Sequence, residues 1–166
     1  ITQRKLLELK NQEQHELLED ILRGIGAAVF YVDAQKYRIV NANSVAEALL
    51  NEKMDTIIGS RCYDFICAEK TGKPSKGCPA LKRDSVHVEF QLTRPDGNII
   101  PVTKTVLPMT IEGKRYLIAI LFDVSKQKEM ERQLAYAQKL ESVGQLASGI
   151  AHEINTPIQY VGSNLQ

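Results

Sequence analysis

Residues 86–99 read VHVEFQLTRPDGNI and hold the clearest structural pattern in the sequence. Apolar and polar residues alternate from Val86 to Thr93, which is the period of a β-strand with one buried face. The Pro-Asp-Gly-Asn at 95–98 predicts a tight turn, because proline presets one backbone dihedral and glycine accepts a positive one. The stretch therefore predicts an antiparallel hairpin whose second strand covers 99–109.

The elements around this hairpin predict a mixed domain. Further strands are predicted over 27–33, 38–41 and 116–122, the last one after a Glu-Gly turn. A short helix ending at Leu50 is expected to be capped by Asn43 or Ser44, since either side chain can satisfy exposed backbone donors. Residues 51–84 are irregular and punctuated by glycine and proline. Short strands with small helices predict an α+β domain over 24–125.

A helix is predicted on each side of this domain. Residues 1–23 are rich in Leu, Glu, Gln and Lys, and a sparse heptad-like stripe predicts a weak coiled coil or a helix lying on a neighbour. Gly24 and Gly26 are expected to end this helix. Ser125 is expected to cap the second helix, over 126–166.

The second helix has an apolar stripe in steps of three and four, the pattern of a helix packed against partner helices. Its members are Leu140, Val143, Ala147, Ile150, Ile154, Ile158, Val161 and Leu165. A shorter series at Met130, Leu134 and Ala137 joins it out of phase. This slip is explained either by imperfect packing or by a junction that can hold two registers.

His152 carries the candidate chemistry of the second helix. It lies two residues from Ile150 and Ile154, about 200° around a helix from each, so its ring is predicted to face away from the apolar stripe. An exposed histidine is largely neutral at physiological pH and has a free nitrogen lone pair, which can attack phosphorus if a carboxylate orients the ring. Glu153 could supply that carboxylate, and the Thr156 hydroxyl could position water or a phosphoryl oxygen.

Two further features surround His152. Small residues, including Gly144 and Gly149, leave the helix surface open to close approach, although each glycine costs about 1 kcal/mol relative to alanine. Pro157 lacks a backbone donor and is expected to bend the helix just past the histidine. A lone exposed histidine on a helix is ordinarily a solvated residue, so the surrounding pattern has to carry the functional interpretation.

The mixed domain resembles the PAS sensory domain. The resemblance rests on an ordered series of short motifs: AAVFYVD at 27–33, IVNAN at 39–43, Ile58-Gly59, RPDG at 94–97, and DVS at 123–125. It implies a five-stranded antiparallel sheet with helices over one face and a small cavity. The cavity would be lined by Phe30, Val32, Leu49, Phe65, Leu81 and Phe90, residues that a plain hydrophobic core explains equally well. The ligand or signal is not identified.

Residues 151–157, AHEINTP, resemble the H-box of two-component sensor histidine kinases, and ESVGQLA at 141–147 is typical of one large group of them. The resemblance implies that His152 is the phosphoacceptor, that Glu153 gives acid–base assistance, and that Thr156 helps to dephosphorylate the partner response regulator. It also implies a homodimer, paired through this helix and through the N-terminal flanking helix.

The kinase family also uses a second bundle helix and an ATP-binding domain with Asn- and Gly-rich boxes, and the sequence contains neither. The full-length kinase would use ATP and Mg²⁺. The chain alone is expected not to phosphorylate His152. The alternative interpretation is a non-catalytic PAS ligand-binding or dimerisation module with a connecting helix.

Composition excludes several classes of partner. The net charge is +1, with 21 basic and 20 acidic residues, so no nucleic-acid or anionic-lipid surface is predicted. The sequence has no apolar run that could span a bilayer and no leader peptide, which indicates a cytoplasmic chain. It begins with Ile1 rather than Met, as a fragment would, and an upstream membrane span stays open.

The three cysteines, Cys62, Cys67 and Cys78, are odd in number and irregular in spacing, which indicates a reducing compartment rather than a disulfide scaffold. No pair has the Cys-x-x-Cys spacing of a zinc site, and His87 is predicted to point away from the inner strand face, so no metal site is predicted. Ordinary thiols and a redox-active pair both remain open. No haem-ligating histidine and no flavin-adduct motif is present, so no cofactor is predicted within the chain.

Overall fold

The computed structural model describes residues 2–67 and 86–163. These form two compact units, with the division between Ser125 and Lys126. The elements are α1 (Gln3–Gly24), β1 (Ala28–Asp33), β2 (Arg38–Ala42), α2 (Ser44–Leu50), α3 (Met54–Ile57), α4 (Cys62–Phe65), β3 (Val86–Thr93), β4 (Ile99–Ile111), β5 (Lys114–Asp123) and α5 (Ser125–Ser163). Among the described helices, none is both long enough and apolar enough to cross a membrane.

The five strands form one antiparallel sheet in the order β2-β1-β5-β4-β3. This sheet with its small helices confirms the predicted α+β fold class. Strand β5 is central, and its nearly continuous apolar sequence follows from that position. Leu117, Ala119 and Leu121 belong to the main core, whereas Ile118 and Ile120 belong to a smaller cluster. Because strand side chains alternate between faces, β5 contributes to apolar packing on both sides of the sheet.

The main core fills the space between one sheet face and the short helices. Its largest fully buried side chains come from strands and helices alike: Phe30, Ile39, Leu50, Ile57, Leu92 and Leu121. Burying one side chain of this size contributes roughly 1.5–3 kcal/mol. The segment predicted to be irregular, 51–84, includes two short helices, α3 and α4. Their Ile57, Cys62 and Tyr63 complete this core.

The end of α1 differs from the prediction at Gly24. Gly24 is helical, and the helix ends through Gly26, whose φ is +68°. The Gly26 amide donates to the Arg23 carbonyl and the Ala27 amide donates to the Leu22 carbonyl, a Schellman arrangement. Leu22 and Ala27 also pack in the same apolar cluster. At this helix end Gly26 adopts a left-handed conformation and Gly24 does not, so glycine is needed at 26 rather than at 24.

Both predicted hairpin turns form, and they set the strand ends. The Asp96 carboxylate accepts from the Asn98 amide, and Gly97 has a φ of +87°. In the β4–β5 turn, Glu112 and Gly113 both have positive φ, as a two-residue type I′ turn requires. That tight turn lets the strand pairing continue to the last possible pair, which is why β4 and β5 extend beyond the predicted 99–109 and 116–122.

Asn43 caps α2, as predicted, and holds it to the sheet. Its Oδ1 accepts from the amides of Ala46, at 3.2 Å, and Val29, at 2.9 Å. Its Nδ2 donates to the Ala27 carbonyl at 2.7 Å. The side chain is buried, so it satisfies three backbone groups that water does not reach.

The start of α5 differs from the expected Ser125 cap. Ser125 is the first helical residue, and its amide donates to the Asp123 carboxylate at 2.8 Å. Asp123 is the last residue of β5, so Val124 alone separates strand from helix. The carboxylate suits this place because the start of a helix presents unpaired amides.

Asp33 joins the β1–β2 turn to the β4–β5 turn. Its Oδ1 accepts from the amides of Gln35 and Lys36, and Lys114 Nζ lies 2.9 Å from its Oδ2. The carboxylate is buried, whereas the Lys114 side chain is about half exposed. The hydrogen bond from Lys114, with those from the turn amides, lowers the pKa of Asp33 to about 2.

Asp33→Asn should therefore destabilise the protein in a pH-dependent way. Asparagine keeps one oxygen acceptor but loses the charge that Lys114 meets, at a cost of about 1–2 kcal/mol at neutral pH. Because the folded pKa is below the ordinary value of 3.8, this contribution is complete above that value and is lost as the pH falls towards 2. Urea unfolding of both proteins between pH 7 and 2.5 should show the two free energies of unfolding converging in acid.

The matched control for this measurement is Asp20→Asn. Asp20 forms an exposed pair with Arg23 on α1, and exposed pairs contribute little. Its free energy of unfolding should stay within about 0.5 kcal/mol of wild type at neutral pH. An Asp33→Asn difference that is constant across the whole pH range would contradict the role assigned to its charge.

Candidate functional site

His152 lies on α5 with its side chain exposed. The apolar stripe of the same helix is also exposed: Leu140, Val143, Ile150 and Ile154 each have more than half of their surface accessible. An apolar stripe along one face of a helix is normally buried against another part of a protein rather than exposed to water. The helix therefore presents both a free imidazole and an apolar face.

Thr156 and Glu153 lie beside His152. The Thr156 hydroxyl donates to the His152 carbonyl at 2.8 Å, one turn back along the helix, so its oxygen lone pairs remain able to accept a hydrogen bond. Glu153 is exposed at the adjacent position. The helical assignment continues through Pro157 to Ser163, and the bend expected at Pro157 stays a prediction.

Gly144 and Gly149 have open space around them. A Cβ added at either position would meet no atom within 4 Å, apart from the chain neighbours and the backbone of the same helix. Gly149 also lines a shallow groove on α5 together with Ile150 and Glu153. Packing among the described residues therefore does not require glycine at these places, although each glycine weakens the helix by about 1 kcal/mol.

The residues predicted to line a sensory cavity gather in the core of the first unit. Phe30, Val32 and Leu49 are buried in the main cluster, and Phe65 and Phe90 pack against it. Leu81 lies outside the described residues. The structure thus brings five of the six together as core, and a ligand bound among them remains a prediction.

Two of the three cysteines, Cys62 and Cys67, lie among the described residues. Cys62 is buried at the start of α4, Cys67 is partly buried just after it, and Cys78 lies outside the described residues. Lys104 Nζ is 2.8 Å from the Ile66 carbonyl oxygen and 3.9 Å from Cys67 Sγ. A hydrogen bond from Cys62 is the largest influence lowering the pKa of Cys67 to about 6; burial opposes it, and the charge of Lys104 adds to it.

Sequence reasoning missed Lys104. The signal was present: in Val102-Thr103-Lys104-Thr105-Val106 the two valines are buried, and the two-residue period places Lys104 on their face of β4. A lysine in an inward-facing row is unusual and points to a specific partner. His87, by contrast, pairs with Thr105 across the strands, with 2.9 Å between Nδ1 and Oγ1, on the face opposite Lys104.

Known proteins resemble the chain over these same regions. The family model for the PAS domain matches residues 26–126. The chain is 26% identical to Sporulation kinase A of Bacillus subtilis over all of its length, which is 28% of that protein. It is 24% identical to the signal transduction histidine-protein kinase AtoS of Escherichia coli over 93% of its length, which is 26% of that protein. The chain thus spans about a quarter of the length of these curated relatives.

A solved structure gives the same fold. The PAS domain of an HTR-like protein from Haloarcula marismortui superposes with a TM-score of 0.56 at 20% identity, covering 72% of this chain and 98% of that one. The family match covers well over half of the sequence, and its bounds enclose the five-stranded sheet and its helices. The chain belongs to the PAS domain family.

Proposed function

We propose that this chain is the sensory and phosphoacceptor portion of a two-component histidine protein kinase. In this proposal the PAS domain receives or relays a signal and passes it to α5. His152 then accepts the γ-phosphoryl group of ATP and passes it to an aspartate of a response regulator. The observation that carries the proposal is the similarity to Sporulation kinase A over the entire chain, which includes α5 and His152 as well as the PAS domain.

The residues of α5 fit this chemistry. His152 is exposed, and a neutral imidazole presents a nitrogen lone pair that can attack phosphorus. Glu153, also exposed and adjacent in sequence, is proposed to stabilise the imidazolium as it forms. ATP and Mg²⁺ would be held by a separate ATP-binding domain. Because His152 is exposed, that domain can approach it on α5.

The apolar face of α5 supports a homodimer as part of the same proposal. Leu140, Val143, Ile150 and Ile154 follow steps of three and four and are exposed. Pairing with the same helix of a second copy would bury them, as in other helical bundles. Gly144 and Gly149 would then allow close approach at this surface. The proposal places the chain in the cytoplasm, where ATP and response regulators are present.

Phosphate transfer tests the proposal directly. The chain is incubated with labelled Mg-ATP, with and without the ATP-binding domain of its own kinase added as a separate polypeptide. Acid-labile label should appear on the chain when that domain is present and should move to the receiver domain of its regulator. If no label appears in the complete mixture, or only acid-stable label does, the chain is instead a binding module with a connecting helix.

Thr156→Val should separate the two reactions of the site. Valine keeps the branched shape but removes the hydroxyl, which is the group proposed to position water or a phosphoryl oxygen. We expect labelling of His152 within about twofold of wild type, and dephosphorylation of the regulator slower by at least about tenfold. Thr156→Ser keeps the hydroxyl and serves as the control. Loss of both reactions in the valine variant, with helicity unchanged, would contradict this division.

A further inference from the structure

Lys104 occupies an unusual place for a cation. It lies on the core-facing side of β4 between the buried Val102 and Val106, and it pairs across the sheet with the buried Leu121. Its ammonium is 2.8 Å from the Ile66 carbonyl oxygen, 3.9 Å from Cys67 Sγ and 5.2 Å from the centre of the Phe90 ring. Of these three partners, only the sulfur can carry a full negative charge.

Cys62 completes the arrangement from the other side. It is buried at the start of α4, five residues before Cys67, and hydrogen bonding from its thiol is the largest influence that lowers the pKa of Cys67. Cys67 itself is only partly buried, so a small reagent can reach it. Asp64 is the opposing charge in this group; it lies on the surface and weakens the preference for a thiolate without removing it.

From this cluster we propose that Cys67 is a modification site for hydroperoxides, with Cys67 as the attacking thiolate and Cys62 as the resolving thiol. The two conditions for a reactive cysteine are an anionic sulfur and access, and the cluster supplies both. Lys104 and the Cys62 thiol stabilise the anion. The proposal does not rest on the phosphoacceptor role of His152, because it concerns the PAS domain alone.

The proposed reaction has two steps. The Cys67 thiolate attacks one oxygen of hydrogen peroxide, the O–O bond breaks, and a sulfenic acid forms. The departing hydroxide becomes water by taking up the proton that the Cys67 thiol released when it ionised. The Cys62 sulfur then attacks Cys67, the S–O bond breaks, and the departing hydroxide leaves as water with the Cys62 proton. In total two thiols are oxidised to one disulfide, and one peroxide is reduced to two molecules of water.

The pH profile of alkylation tests the thiolate. Trypsin releases both cysteines in one peptide, CYDFICAEK at 62–70, whereas Cys78 falls in GCPALK at 77–82, so mass spectrometry separates the products. The rate of carbamidomethylation at Cys67 should reach half of its maximum near pH 6. An ordinary thiol reaches that point near about pH 8.5, and glutathione in the same reaction provides the reference.

Lys104→Met is the principal variant for this profile, and it should move the half-maximum upwards. The midpoint is the quantity to follow, rather than the rate at one pH. A higher pKa leaves less thiolate but makes that thiolate more nucleophilic, and the two effects partly cancel in the rate. Lys139→Met, an exposed lysine of α5, is the matched control and should leave the midpoint unchanged. If Lys104→Met fails to fold, Cys62→Ala carries the test, because it removes the hydrogen bond and should also raise the midpoint.

Peroxide treatment tests the resolving step. One equivalent of hydrogen peroxide should remove the mass of two hydrogen atoms from the wild-type 62–70 peptide. In Cys62→Ala the sulfenic acid should persist on Cys67 and be captured by dimedone. A wild-type midpoint at the value of an ordinary thiol, or peroxide oxidation that forms no disulfide between Cys62 and Cys67, would overturn the proposal.

Discussion

His152→Gln should remove all acid-labile phosphate from the chain when the ATP-binding domain is supplied. Glutamine keeps the polarity and the approximate length of the side chain but has no nucleophilic ring nitrogen, so labelling should fall by at least about a hundredfold. The residue is exposed on α5, so its replacement leaves no cavity and should not change the helix. The measurement is the acid-labile label per chain after gel separation, with circular dichroism as the check on folding.

The sequence offers a close control for this variant. It has three histidines, and His15 is exposed on the helix α1, outside the sheet. His15→Gln should be labelled as wild type is. Glu153→Gln should be labelled more slowly, by roughly tenfold or more, because it loses the charge that stabilises the imidazolium. Equal labelling of His152→Gln and wild type would remove His152 as the phosphoacceptor and favour a connecting helix.

Asn43→Ala should cause a large loss of stability although it leaves the apolar core intact. The Ala27 carbonyl and the amides of Val29 and Ala46 all lose their side-chain partner. A buried polar group without a partner costs about 1–3 kcal/mol, and loss of a helix cap costs about 1 kcal/mol. We expect a decrease of about 3–4 kcal/mol in the free energy of unfolding, measured by urea denaturation.

Asn41→Ala is the matched control for Asn43. Asn41 lies on the same segment and is exposed, and among the residues that the structure describes its Oδ1 accepts only from the amide of the next residue. Its replacement should cost less than about 1 kcal/mol. Asn43→Asp gives a further test, because it keeps the acceptor for the two amides but turns a carboxylate oxygen towards the Ala27 carbonyl. It should be nearly as damaging as alanine. A midpoint for Asn43→Ala equal to that of Asn41→Ala would contradict the assigned role.

Local chemistry was enough to predict much of the fold. The alternation over 86–93 and the turn at 95–98 predicted the β3–β4 hairpin, and Asn43 was recognisable as a cap from its neighbours alone. The remaining bonds of Asn43 join it to residues 14 and 16 positions earlier in the chain. No local pattern contains such pairs, because they depend on how β1 and α2 come together in space.

The candidate sites likewise differ in whether local sequence or three-dimensional packing reveals them. His152 is recognised from consecutive residues, since its helix places Glu153 and Thr156 beside it at fixed spacing. The group of Cys67 and Lys104 joins positions 37 residues apart, and the cysteine spacing alone favoured ordinary thiols over a redox pair. Only the packing of Ile66 and Cys67, just after α4, against Lys104 of β4 brings the cation to the sulfur.

The strand order has a consequence for the synthesis of this protein. β1 pairs with β5, and Ala28 lies opposite Leu121, 93 positions later in the chain. The edge of β1 that faces β5 therefore has no hydrogen-bonding partner strand until β5 has been synthesised. At roughly 5–20 residues per second the ribosome needs on the order of 5–20 s to supply the missing strand. Until then β1 has only β2 beside it, and an isolated two-stranded hairpin is marginally stable in water. The nascent chain thus exposes an apolar strand edge for seconds, and an interruption before residue 123 would leave that edge without its full pairing.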